Sequence, residues 1–109
     1  MKKWRDEIAE APLLSPSEMQ AKVEQLRALV EEGEFTYETF QQVSDLEGEI
    51  RLLVCAMIVR GTTSQEQAAR TALMQLGRLY PQAVRKVKRL YAKQVLAERK
   101  AQKADRDEH

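Results

Sequence analysis

The chain has 109 residues, of which 43% are apolar, 32% charged and 6% aromatic. That is one domain's worth of chain with enough apolar mass for a modest core, which excludes a disordered polyelectrolyte. A single cysteine, Cys55, excludes an internal disulfide and a thiolate metal cluster and suits a reducing compartment. The net charge of +1 conceals a split: residues 1–50 hold 12 acids and five bases, residues 51–109 five acids and 13 bases, about −7 against +8.

The start, Met1-Lys2-Lys3-Trp4-Arg5-Asp6-Glu7, is charged and lacks the apolar stretch of a secretory signal. Residues Lys3 to Glu10 are expected to form a turn or two of helix that Pro12 ends, with Trp4 and Ile8 packing back on the core. Ser15-Pro16-Ser17-Glu18 then combines an N-cap serine, proline at the first helical position and glutamate at the third. This is a capping box, in which two side chains satisfy orphan backbone donors reciprocally. The helix it opens should run from Pro16 to Glu32 and stop at Gly33, which tolerates the left-handed conformation of a C-cap. Met19, Val23, Leu26, Leu29 and Val30 form its apolar stripe.

Thr36 caps a further helix, from about Tyr37 to Arg60, closed by Gly61. Phe40, Val43, Leu46, Ile50, Leu53, Val54, Met57 and Ile58 fall on one face. From Leu52 to Val59 the segment is apolar all round, which predicts a place at the centre of the bundle. These eight residues are the longest apolar run, far short of the roughly 20 that cross a bilayer. A cytoplasmic protein with no membrane partner is therefore expected. Glu47 precedes Arg51 by four residues, the favourable order for an intrahelical pair.

Thr63-Ser64-Gln65-Glu66 reads as a second capping box, opening a helix to about Tyr80 whose buried face is Ala68, Ala69, Ala72, Leu73, Leu76 and Leu79. Pro81 starts a last helix, so that Leu79-Tyr80-Pro81 is a short connection or a kink. The fold expected is all-α: an antiparallel bundle of four main helices with a short extra N-terminal helix. Residues 1–104 make a single helical domain and 105–109 a frayed polar tail.

At 100° per residue, Val84, Val87, Leu90, Tyr91 and Val95 share one arc of the last helix, which assigns Tyr91 to the core rather than to a base-stacking platform. Arg85, Lys86, Lys88, Arg89, Lys93, Arg99, Lys100 and Lys103 fill an opposite arc of roughly 160°. Arg85/Arg89 and Arg89/Lys93 are like charges at i,i+4, each destabilising by a few tenths of a kcal/mol, about 0.2–0.5. Three readings compete for this face: a solvated surface neutralised by counter-ions, a polyanion site, or a dock for an acidic protein surface. That last surface includes this chain's own Glu24, Glu31, Glu32, Glu34, Glu38 and Glu49 across a homodimer. A helix-turn-helix reader fits poorly, because Gly77 precedes the usual turn position and no Asn or Gln cluster opens the second helix.

Nothing in the sequence assembles a catalytic site, and no enzyme, cofactor or metal is expected. The only histidine is the terminal His109. Cys55 sits in the most apolar stretch and reads as an inert thiol. Asp105, Asp107, Glu108 and His109 read as a solvated tail rather than a cation site. The expectation is a small non-catalytic accessory protein that binds a polyanion, a nucleic-acid backbone within a larger complex being the most concrete. Its contact set is Arg78, Arg85, Lys86, Lys88, Arg89, Lys93, Arg99 and Lys100. The alternative is a protein–protein adaptor or regulator acting by charge-complementary docking or dimerisation.

Overall fold

A computed structural model describes residues 3–107, with side chains to residue 103. All of its regular structure is helical: α1 (Trp4–Glu10), α2 (Pro16–Glu31), α3 (Tyr37–Arg60) and α4 (Thr63–Asp107). α2, α3 and α4 pack as an up-down-up bundle, and α1 lies on the outside of α3. The all-α bundle with a short N-terminal helix is the expected architecture.

The caps explain most of the boundaries. Ser15 and Glu18 form the reciprocal box that opens α2. Thr36 Oγ1 accepts from Thr39 N at the start of α3. Gly33 follows the C-cap of α2 at φ +74°, a conformation that any Cβ would strain. The box that opens α4 sits one residue earlier than expected. Thr62 N donates to Gln65 Oε1 at 2.8 Å and Gln65 N to Thr62 Oγ1 at 3.3 Å. Thr62 and Gln65 have the same S/T-x-x-E/Q spacing as Thr63 and Glu66, and Gln65 Nε2 additionally reaches Leu14 O at 3.0 Å.

The two helices expected on either side of Pro81 are one continuous helix of 45 residues. Proline lacks the N–H that would bond to the carbonyl four residues earlier, and its ring presses on that carbonyl. The residue four earlier is Gly77. Both Gly77 and Pro81 face solvent, so the carbonyl that loses its partner is open to water. A glycine there offers the softest backbone for the adjustment. The helix continues through Asp107, into the stretch expected to fray.

The core is built from Met19, Val23, Leu26 and Val30 of α2, Val43, Leu46, Ile50, Leu53, Val54 and Met57 of α3, and Ala69, Ala72, Leu76, Leu79 and Ala83 of α4. The alanines let α4 approach its neighbours closely. Leu73 does not join them: it is on the solvent side of α4, and the buried line runs Ala69, Ala72, Leu76, Leu79 instead. Tyr80 packs inward, its ring 6.1 Å from that of Phe40, with its hydroxyl 3.5 Å from Ser44 Oγ.

The all-round apolar character of Leu52–Val59 has a structural cause. One face of α3 meets the bundle, and another is covered by α1, where Ile8 and Ala11 bury against Ala56 with Leu52 and Cys55 at the edge. Arg60 fastens this cover, Nη1 donating to Ile8 O at 2.8 Å and Ala11 O at 2.7 Å. Two expectations fail here. Trp4 does not pack back, being 71% exposed, and Val59 is 69% exposed rather than central. With Arg5, Ile8, Ala9 and Arg60 they line an open apolar groove of about 420 Å³.

The candidate polyanion interface

α4 is far longer than its partners. At 1.5 Å per residue, 45 residues span about 67 Å, against about 36 Å for α3. The longest dimension of the molecule, 69 Å, is this one helix. Its last fixed point on the bundle is Gln94, whose Oε1 accepts from Tyr37 Oη at 2.8 Å. Residues 96–103 are exposed on every side of the helix. The basic arc therefore begins on the flank of the bundle and runs out along a free-standing rod.

Arg78, Arg85, Lys88, Arg89, Lys93, Arg99 and Lys100 are all exposed, and none takes part in an ion pair among the described residues. Four other bases are matched locally with acids. Lys22 bridges α2 to Glu49 of α3 at 2.7 Å, Arg27 lies between Glu24 at 3.4 Å and Glu31 at 3.9 Å, Arg51 binds Glu47, and Arg70 meets Glu66 at 3.0 Å. These pairs leave the bases of α4 from Arg78 to Lys100 without an acid partner among the described residues. Three exposed acids, Glu32, Glu34 and Glu38, gather at the α2–α3 turn.

Lys86 stands apart from the other seven. It is half-buried, its Nζ donates to Val30 O in the last turn of α2, and its ammonium lies 5.6 Å from the centre of the Phe35 ring. There it closes an orphan carbonyl and complements the negative end of the helix dipole. The sequence places Lys86 on the basic arc by angle alone; the packing turns it toward α2.

Tyr91 is the reverse case. The helical wheel puts it with Val84, Val87 and Val95, yet it is 64% exposed, and Leu96 is 56% exposed. The buried line of α4, Leu76, Leu79 and Ala83, continues toward Leu90, about 100° around the helix from the arc centred on Val84 and Tyr91. Tyr91 therefore falls at the edge of the bundle and Leu96 beyond it. Leu96 has Lys93, Arg99 and Lys100 as its i−3, i+3 and i+4 neighbours, so an apolar side chain stands among three bases.

Cys55 is half-buried at the α1–α3 contact. Glu108 and His109 lie outside the described residues, as do the side chains of Asp105 and Asp107. The unbroken helix through Gly77 and Pro81 leaves no turn for a helix-turn-helix reader. No helix among the described residues is long and apolar enough to cross a membrane. Against protein-family models, curated proteins and solved structures, the chain finds no match.

Proposed function

We propose that this protein is a small non-catalytic accessory factor of the cytoplasm that binds a polyanion, a nucleic-acid backbone above all, along the exposed basic face of α4. The observation that carries the reading is the row of bases from Arg78 to Lys100, Lys86 apart, that stays exposed and outside any ion pair among the described residues, while Lys22, Arg27, Arg51 and Arg70 meet acids. Like charges at Arg85/Arg89, Arg89/Lys93 and Arg99/Lys103 each oppose helix formation by about 0.2–0.5 kcal/mol. A line of phosphates removes that repulsion and releases its own condensed counter-ions. Arg85, Lys88, Arg89 and Lys93 form the centre of the contact set, with Arg78, Arg99 and Lys100 extending it. Lys86 supports the helix from behind.

The test is a titration of labelled DNA and RNA at several salt concentrations, with wild type and an Arg85/Arg89/Lys93→Glu variant. Binding that weakens steeply with salt and disappears in the variant supports the reading; no binding at low salt contradicts it. The exposed acids Glu32, Glu34 and Glu38 favour a second reading, charge-complementary docking onto a second copy or another protein. Sedimentation of the free protein separates the two, since a salt-sensitive dimer is expected only from the second.

A further inference from the structure

We infer that the nucleic acid bound by α4 is single-stranded, with bases stacking on Tyr91 while the phosphates track the basic arc. This rests on the polyanion reading above and adds the class of strand. A surface that met only phosphates would need charge and nothing else. This one carries two large apolar side chains, 64% and 56% exposed, within the same turns as Lys88, Lys93, Arg99 and Lys100. In a duplex the base faces are stacked inside, and Tyr91 and Leu96 would meet sugar and phosphate. A single strand offers unstacked base faces that cover an exposed ring, and it does so without sequence preference.

The charge layout points the same way. A helix in the major groove has a wall of phosphates on each side. Here only one side of α4 is basic. The other side faces the α2–α3 turn with Glu34 and Glu38 exposed, and Glu98, hydrogen-bonded to Gln94 at 3.3 Å, lies beyond them. One arc of bases bounded by acids matches one line of phosphates. Tyr91 lies on the border between the two, one turn from Lys88, where bases turned away from the phosphate line arrive. Leu96, five residues further on, lies about 140° around the helix from Tyr91, inside the basic arc rather than on its border.

The experiment measures fluorescence anisotropy of a labelled 20-nucleotide single strand (oligo-dT and oligo-rU) and of a mixed-sequence 20-base-pair duplex. Wild type is compared with Tyr91→Ala, Tyr91→Phe and Tyr91→Lys. Tyr91 is exposed, and circular dichroism confirms that each variant keeps its helices. The single strand is expected to bind about tenfold tighter than the duplex. Tyr91→Ala should weaken the single strand about tenfold and leave the duplex unchanged, and Tyr91→Phe should retain wild-type affinity. Tyr91→Lys separates stacking from charge: it weakens single-strand binding if the ring stacks and strengthens it if charge alone matters.

Equal affinity for strand and duplex, with Tyr91 variants that change neither, overturns the inference and leaves the polyanion reading standing. Absence of binding to both overturns the two together. Tighter association with vesicles of phosphatidylcholine and phosphatidylserine than with either oligonucleotide, lost in Tyr91→Ala, also overturns it, in favour of a lipid surface.

Discussion

Lys86 reaches from the middle of α4 to the carbonyl of Val30, in the last turn of α2. A residue that sequence places among the binding cations is thereby part of what holds two helices together, with Phe35 beneath its ammonium. Lys86→Met keeps the stem and removes the charge. It is expected to destabilise the protein by about 1–2 kcal/mol, from a charged hydrogen bond and a cation–π contact. Urea unfolding measures this. Polyanion affinity of the folded variant should change far less than in Lys88→Met, a substitution of the same charge on the exposed face.

Arg60 is the corresponding fastener at the other end. Its two hydrogen bonds to Ile8 and Ala11 hold α1, a helix of seven residues too short to persist alone. Arg60→Ala is expected to release α1 at a cost of about 2 kcal/mol locally, leaving α2, α3 and α4 folded. Amide hydrogen exchange should accelerate across residues 4–11 and remain slow at Ile50, Val54 and Leu76. Trp4, the only tryptophan, should show lower fluorescence anisotropy.

Backbone substitutions separate three positions. Gly33→Ala forces a Cβ into φ +74° and should destabilise by about 1 kcal/mol. Gly48→Ala, in the exposed interior of α3 with nothing within 4 Å of the added Cβ, should stabilise by about 0.5–1 kcal/mol. Pro81→Ala restores the missing bond to Gly77 and should stabilise by about 1–3 kcal/mol. Thermal unfolding followed by circular dichroism reads all three, and a Pro81→Ala protein less stable than wild type would contradict the continuous helix.

The capping box of α2 carries a pH dependence. The hydrogen bond from the Ser15 backbone, and then that with its side chain, hold the Glu18 carboxyl below its ordinary value of 4.5. A depressed carboxyl stabilises the fold above the ordinary value, and that contribution is lost as pH falls through the lowered one. Glu18→Gln should therefore be less stable than wild type at neutral pH, and the difference should shrink in acid. Carboxyl NMR of Glu18 should show a midpoint under 4.5.

Helix ends were readable because each rests on local chemistry: Ser15 with Glu18, Thr36 before Tyr37, Gly33 and Gly61 after their helices. The Thr62–Gln65 box was missed by one residue because Thr63 and Glu66 repeat the same pattern. Tertiary geometry accounts for the other departures. The wheel gives angles within α4 but not which angle meets the bundle, and so it misassigned Leu73, Tyr91 and Lys86. Nor does it give how far α2 and α3 extend along α4, which is what leaves Leu96 uncovered. Gly77, four residues before Pro81, is a visible sign of a helix that can continue, since that spacing pairs the ring with the carbonyl it presses.

The central claim is that the exposed bases of α4 form a polyanion site, and the salt dependence of binding tests it most directly. For a labelled single strand, log K against log salt should fall linearly, with a slope of about −0.7 for each phosphate neutralised. Five contacts from Arg85, Lys88, Arg89, Lys93 and Arg99 predict a slope near −3.5. Replacing Arg85 and Lys93 by Met should make it shallower by about 1.4, whereas Lys22→Met, removing a base paired with Glu49 on another face, should leave it unchanged. A slope near zero, or one that Lys22→Met reduces as much as the α4 substitutions do, would contradict the account.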